Sequence, residues 1–191
     1  TILSFGKKNY KNVAYINFEG NTEISKIFEQ DLDIERIINE LSVKLGISIF
    51  EEDTLIFFDE IQACERALTS LKYFAESKAK YDVVAAGSLL GIAINRQKYS
   101  FPVGKVKMVT LHPFDFEEFL WALDKKDLAD MIRESFEKNK EFSLHSLASQ
   151  YYRLYLAIGG MPRAILEYKE KQDMNFVAAT LNDINNSYIA D

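Results

Sequence analysis

The stretch from Thr54 to Gln62, with the sequence TLIFFDEIQ, constrains the fold of this chain more than any other. In it, four consecutive bulky apolar residues are followed directly by two acids, Asp59 and Glu60. An uninterrupted apolar run of this length is typical of a strand that is buried on both faces, as strands are inside a parallel sheet. Such strands present their functional residues at their carboxyl ends, where the crevice of an α/β sheet opens. The stretch therefore predicts a buried parallel strand that carries two acids into a crevice.

Adjacent carboxylates in this position suit nucleotide hydrolysis. The first can organise Mg²⁺, which prefers hard oxygen ligands, and the second can orient and deprotonate the attacking water. The stretch resembles the Walker B strand of those P-loop ATPases in which a catalytic Glu directly follows the Mg²⁺-binding Asp. A second interpretation of these residues stays open: a buried strand that ends in solvated acids ahead of a helix N-terminus, where acids are favourable in any case.

The rest of the chain alternates strands with helices and then becomes wholly helical. Strands are expected at residues 13–18, 54–59, 82–87 and 106–111, and helices at 34–45 and 63–77. This alternation implies right-handed crossovers and a mostly parallel sheet with helices on both faces. The 54–59 strand should lie between the 13–18 and 82–87 strands. We expect an α/β nucleotide-binding core over residues 1–112 and a helical region over residues 113–191.

Helix ends are marked by residues with well-known terminal preferences. Asp33 is a good N-cap for the 34–45 helix, and Gly46 is a good stop for it. Asp115 and Glu118 form a D-x-x-E capping pattern. Pro162 is well placed to begin a helix after the Gly159-Gly160 pair.

Five segments occur in the order found in a family of prokaryotic AAA-like ATPases. They are VAYINFE, LIFFDEIQ, VVAAGSLLG, VGKV with LHPFDFEEFL, and YLAIGGMPRAI. The chain resembles this family over nearly its whole length, and the DEIQ, FEEF and GGMP pieces together are the specific part. The resemblance implies a parallel P-loop NTPase-type sheet with flanking helices, an AAA-lid-like helical region, and a further C-terminal domain of poorly defined function.

The same resemblance implies ATP and Mg²⁺ as cofactors and gives roles to individual residues. Glu60 would be the catalytic base, and Asp59 would hold Mg²⁺ through water. Ser88 occupies the sensor position, which reads the γ-phosphate or orients the water, although a helix N-cap explains it equally well. Asn17 ends the first strand and faces the same crevice, where a plain turn role is an equal alternative. Arg163 follows GGMP, where a second sensor arginine could reach the nucleotide.

Three further side chains have both a functional and a structural interpretation. Gln62 fits the family pattern after the acids, and it equally fits a plain helix start. Arg66 and Arg96 are candidates, with Arg163, for the arginine that neutralises transition-state charge, often from a neighbouring subunit. For Arg96 a solvated loop position is favoured.

The phosphate-binding loop, G-x-x-x-x-G-K-S/T, does not occur in these residues. We expect it ahead of Thr1, because TILSF has the character of the end of the helix that follows such a loop. We also expect the family's sequence to continue past Asp191. The 191-residue chain alone should then bind ATP weakly or not at all. The rival interpretation is a degenerate homologue that never binds ATP, and the retention of both acids argues against it.

Composition narrows the function further. The net charge of −6 gives no support to binding nucleic acid through overall charge. The single cysteine fits a reducing, cytoplasmic compartment, and the longest uncharged apolar run is too short to cross a membrane. We expect an ATP-hydrolysing module that couples nucleotide state to motion on an unidentified protein or nucleic-acid partner, with a homo-oligomer allowed. The alternative is a nucleotide-independent interaction scaffold.

Overall fold

A computed structural model describes residues 1–87 and 104–190 of the chain. The chain divides into two compact units, Thr1–Met108 and Val109–Asp191. The first unit contains a parallel sheet flanked by helices, and the second unit is helical. The predicted fold class is therefore confirmed.

The first unit is built around three parallel strands. Its elements are α1 (Ile2–Asn9), β1 (Asn12–Asn17), α2 (Thr22–Glu29), α3 (Ile34–Leu45), β2 (Thr54–Asp59), a 3-10 turn (Ile61–Ala63), α4 (Glu65–Glu76) and β3 (Asp82–Ala85). β2 is central and pairs in parallel with β1 on one side and β3 on the other. All of its apolar residues are buried, as the uninterrupted apolar run predicts. The expected strand order is confirmed.

The two faces of the sheet pack against different helices, because successive side chains of a strand point to opposite faces. One face contributes Ala14, Ile16, Ile56 and Phe58 to a core shared with α2, α3 and α4. The other face meets α1. A Cβ at Gly6 of α1 would lie 2.7 Å from Val13 Cγ2 and 2.9 Å from Leu55 Cδ2. The absence of a side chain at Gly6 therefore allows α1 to lie this close to the sheet.

The helix termini of this unit follow the sequence signals closely. Asp33 is the N-cap of α3, and its side chain accepts a hydrogen bond from the Arg36 N–H at 2.8 Å. Gly46 ends the helix with φ 66° and ψ 27°, a left-handed conformation that glycine adopts without strain. α4 begins at Glu65 rather than near residue 63, because residues 61–63 form the 3-10 turn and Cys64 is the N-cap of the helix.

The predicted strand at residues 106–111 is wrong. Val106 packs against the core of the first unit, but Val109 and Leu111 are 80% and 86% exposed. The segment also pairs with none of the strands in the described part of the chain. Alternating apolar residues stabilise a strand only where one face is buried and a neighbouring backbone is available, and neither condition is met.

The second unit consists of helices joined by short connections. They are α5 (Phe116–Ala122), α6 (Lys126–Glu137), α7 (His145–Ile158), α8 (Pro162–Lys171) and α9 (Met174–Ala190). The capping box of Asp115 and Glu118 and the placement of Pro162 at a helix start are confirmed. Over residues 1–87 and 104–190, none of the helices has both the length and the apolar character to traverse a bilayer.

A close backbone contact joins two of the sequence motifs within this unit. The Phe114 N–H donates to the Gly160 carbonyl at 2.8 Å, and the Tyr155 hydroxyl donates to the Phe114 carbonyl at 3.0 Å. A Cβ at Gly160 would overlap the Phe114 carbonyl oxygen and lie 2.9 Å from the Phe114 nitrogen. The LHPF and GGMP segments therefore form one structural feature that requires glycine at residue 160.

Candidate functional site

Asp59 and Glu60 lie at the carboxyl end of the central strand. Asp59 is the last residue of β2 and stands in register with Asn17, the last residue of β1. Glu60 follows directly, and both acids are half-buried. The structure thus brings three of the predicted site residues to one edge of the sheet, where ligands bind in folds of this kind.

The backbone at Glu60 has an unusual conformation, with φ 49° and ψ 43°. A non-glycine residue in this left-handed region costs roughly 1–2 kcal/mol. Neighbouring backbone hydrogen bonds hold the turn in place: the Ala86 N–H donates to the Phe58 carbonyl at 2.8 Å, and the Ile61 N–H donates to the Ala86 carbonyl at 3.2 Å. These two hydrogen bonds fix the strand end on both sides of Glu60. In the described part of the chain, the other non-glycine residues with positive φ lie in turns or at helix ends.

Both oxygens of the Asp59 carboxylate accept hydrogen bonds from the protein. The Tyr15 hydroxyl donates to Oδ2 at 2.8 Å, and the Glu60 N–H donates to Oδ1 at 3.2 Å. The hydrogen bond to Asp59 raises the pKa of the Tyr15 hydroxyl, partial burial adds to the rise, and a hydrogen bond with Asn17 opposes it. Sequence reasoning missed Tyr15. The available signal was its place two residues before Asn17, on the same face of the strand.

The Glu60 carboxylate is held by a separate donor. The Gln62 Nε2 donates to Glu60 Oε2 at 2.5 Å, and the Gln62 Oε1 is buried without a partner in the described part of the chain. Gln62 lies in the 3-10 turn, two residues ahead of the N-cap of α4. Its side chain thus turns back onto the second acid, which the sequence alone did not indicate.

Asn17 is bound within its own turn in this structure. Its Oδ1 accepts a hydrogen bond from the Glu19 N–H at 2.7 Å, which is the Asx-turn geometry that asparagine favours at strand ends. The side chain nevertheless stays beside Asp59, its partner in the strand register. Its role toward a nucleotide stays a prediction.

The candidate arginines have different surroundings. Arg66 donates from Nε to the Phe28 carbonyl at 2.5 Å, near the end of α2, where a basic side chain satisfies a free helix carbonyl. Arg163 belongs to the second unit and is exposed. In the described residues it takes part in none of the ion pairs. Ser88 and Arg96 lie outside the described residues.

The residues at this edge suit a magnesium–nucleotide complex better than a metal held by protein alone. Asp59 offers hard carboxylate oxygens at a half-buried position. Within residues 1–87 and 104–190, His, Cys, Asp and Glu side chains nowhere group in threes as a metal cage would require. Mg²⁺ in nucleotide sites is held by one or two carboxylates together with water and substrate phosphates, and Asp59 fits that arrangement.

Comparison with known proteins places the chain in a family. A family model described as an AAA domain matches residues 1–120, which is more than half of the chain. Comparison with curated proteins and with solved structures gives no significant match. The matched residues include the whole parallel sheet and both acids at its carboxyl edge. The chain therefore belongs to the AAA domain family, whose members are of the P-loop ATPase type.

Proposed function

We propose that this chain is the ATP-binding and ATP-hydrolysing part of an AAA-type molecular machine. The observation that carries the proposal is the acid pair Asp59–Glu60 at the carboxyl end of the central strand, where each carboxylate has its own hydrogen-bond donor. Strain at a non-glycine residue is often retained at functional sites, and the left-handed backbone of Glu60 agrees with that.

The two acids have different tasks in this proposal. Asp59 holds the water shell of Mg²⁺, because a fixed carboxylate is a suitable hard ligand at the mouth of the site. Glu60 orients the attacking water and accepts its proton. When bound, Mg²⁺ neutralises charge on the phosphates. Gln62 keeps one oxygen of Glu60 occupied and leaves the other available to water.

Three predicted residues complete the proposed site. Ser88 acts as the sensor that reads the γ-phosphate, and Asn17 and Arg163 contact the nucleotide. The α/β nucleotide-binding core spans residues 1–112, and the AAA-lid-like helical region spans residues 113–191. The phosphate-binding loop lies outside these residues, because no G-x-x-x-x-G-K-S/T sequence occurs within them. The support for these assignments is the family resemblance and the order of the motifs.

The proposed machine works in the cytoplasm, where its nucleotide state is coupled to motion on a protein or nucleic-acid partner. Assembly into a homo-oligomer would let an arginine of one subunit complete the site of the next. The alternative function is an interaction scaffold that keeps the fold without using ATP. The two functions differ in what the acids should contribute, which makes them separable by mutation.

The test measures Mg²⁺-ATP affinity and ATP hydrolysis on the protein at its full native length. Glu60→Gln keeps the size and the hydrogen bond but removes the base, so ATP should bind while turnover falls about 10²–10⁴-fold, equivalent to roughly 3–5 kcal/mol of barrier. Asp59→Asn should weaken Mg²⁺-nucleotide binding as well, because the ligand loses its charge.

Glu52→Gln is the matched control. Glu52 is an exposed glutamate just ahead of β2, and it also has a positive φ, 61°. The control variant should hydrolyse ATP at the wild-type rate, since Glu52 lies at the opposite end of the strand from the acid pair. If neither the wild type nor any variant binds or hydrolyses ATP, the scaffold becomes the better account. If the wild type and all three variants hydrolyse ATP alike, the acid pair is not the catalytic site.

A further inference from the structure

The contact between Tyr15 and Asp59 joins two different strands at the proposed magnesium position. Tyr15 lies on β1, two residues before Asn17, and its hydroxyl reaches Asp59 Oδ2 at 2.8 Å. The Tyr15 ring packs beside the buried Phe57 ring, with a centroid distance of 5.4 Å. Tyr15 is 39% exposed, and its hydroxyl is held toward Asp59 by the paired strand and by the contact of its ring with Phe57.

This placement has a consequence for the orientation of the carboxylate. An aspartate at a strand end is free to rotate about both side-chain torsions unless its oxygens are bonded. Here Oδ2 is fixed by the Tyr15 hydroxyl and Oδ1 by the Glu60 N–H. A hydrogen bond to an ionised acceptor is stronger than a neutral one, and hydrogen bonds to a ligating carboxylate orient it for its metal. Each oxygen keeps a further lone pair for a ligand.

We propose that Tyr15 is a positioning residue that holds the Asp59 carboxylate in the orientation used for magnesium–nucleotide binding. This inference rests on the proposed function, and it names a residue outside the acid pair that sets the magnesium requirement. Mg²⁺ demands near-ideal octahedral geometry. A freely rotating Asp59 carboxylate should therefore weaken Mg²⁺ binding and leave proton transfer to Glu60 unchanged. Tyr15 itself touches no reacting group.

The test variant is Tyr15→Phe, which removes the hydroxyl and keeps the ring beside Phe57. The matched control is Tyr10→Phe. Burial and the nearby Asp82 carboxylate raise the pKa of Tyr10, so the control also removes a tyrosine hydroxyl that lies close to an aspartate. Asp82 begins β3, which places this second pair at the amino edge of the sheet, away from the acids.

The first readout is hydrogen exchange of the Glu60 amide without nucleotide, followed by NMR. In Tyr15→Phe the carboxylate can turn away, so the Glu60 N–H should exchange about three- to tenfold faster, while Tyr10→Phe leaves it unchanged. The second readout is the Mg²⁺ concentration for half-maximal ATP binding. It should rise about tenfold in Tyr15→Phe, with kcat at saturating Mg²⁺ within about twofold of wild type.

The two readouts separate the failure of this inference from the failure of the proposed function. Exchange of the Glu60 amide at the wild-type rate in Tyr15→Phe overturns the inference, whether or not the protein hydrolyses ATP. Faster exchange of the Glu60 amide in Tyr15→Phe supports the role of Tyr15 in orienting Asp59. If the wild type then shows no ATP hydrolysis, only the proposed function fails. Faster exchange with an unchanged Mg²⁺ requirement in an active enzyme overturns the link to magnesium.

Discussion

Gly160→Ala should destabilise the helical unit more than any other single added methyl group discussed for this chain. The new Cβ would overlap the Phe114 carbonyl oxygen and lie 2.9 Å and 3.0 Å from the Phe114 nitrogen and carbonyl carbon. These are backbone atoms, so no change of rotamer relieves the clash. Either the hydrogen bond from the Phe114 N–H to the Gly160 carbonyl, 2.8 Å long, is lost, or the chain on one side moves.

The expected magnitude follows from three contributions. Losing the backbone hydrogen bond costs about 0.5–1.5 kcal/mol, and overpacking costs about 1–3 kcal/mol. The smaller entropy of the unfolded alanine chain returns about 0.4–1 kcal/mol. The net loss is then about 0.5–4 kcal/mol. With a urea dependence near 1 kcal/mol per molar, the unfolding midpoint should fall by about 0.5–4 M.

The single tryptophan, Trp121, provides the assay, because it lies in α5 of the helical unit. Its fluorescence during urea unfolding reports on the unit that contains Gly160. Gly46→Ala, which lies in the α/β unit and is therefore followed by circular dichroism, is the comparison. Nothing lies within 4 Å of the new Cβ there, and only the left-handed backbone, φ 66°, opposes it, at roughly 1–2 kcal/mol. An unfolding midpoint for Gly160→Ala equal to that of the wild type would refute the contact between Phe114 and Gly160.

Two further predictions concern the α/β unit. Gly6→Ala should lower the unfolding free energy by up to about 2 kcal/mol, because overpacking against Val13 and Leu55 costs about 1–3 kcal/mol and the better helix propensity of alanine returns about 1 kcal/mol. Lys7→Ala, on the exposed side of the same helix, should stay within about 0.5 kcal/mol of wild type in a urea titration followed by circular dichroism. The hydrogen bond from Arg36 lowers the pKa of Asp31 below its ordinary 3.8. The ion pair therefore stabilises the fold fully at pH values above 3.8, and this stabilisation is lost as the pH falls through the lower pKa of the folded state. The difference in urea midpoint between wild type and Asp31→Asn should therefore be present at pH 7 and shrink below about pH 4, and a difference that is constant with pH would contradict it.

The sequence predicted the features that depend on local pattern. The buried β2 strand, the caps of α3 and the capping box of Asp115 all rest on a residue type in a fixed place, and the structure contains each of them. The segment 106–111 has the same kind of pattern, but among the described residues it has neither a buried face nor a neighbouring strand. Local alternation cannot reveal whether a partner is present.

Two helices and the bond between Tyr15 and Asp59 were beyond sequence reasoning for similar reasons. α2, with eight residues, is held by packing on α3 and α4. α6, with twelve residues, is highly charged and has few buried residues, so neither helix has a long apolar period. The bond between Tyr15 and Asp59 depends on strand register, which a single sequence does not specify. The acids themselves were identifiable because their chemistry and their place at a strand end coincide.

The central claim is that Glu60 is the base of an ATP-hydrolysing site, and a single-turnover measurement tests it most directly. Full-length protein in excess over Mg²⁺-ATP is quenched at successive times, and the conversion of bound ATP to ADP is followed for the wild type, Glu60→Gln and Glu52→Gln. Bound ATP should persist in Glu60→Gln, with conversion slowed about 10²–10⁴-fold, while Glu52→Gln converts it as fast as the wild type. Conversion in Glu60→Gln at the wild-type rate would contradict the account.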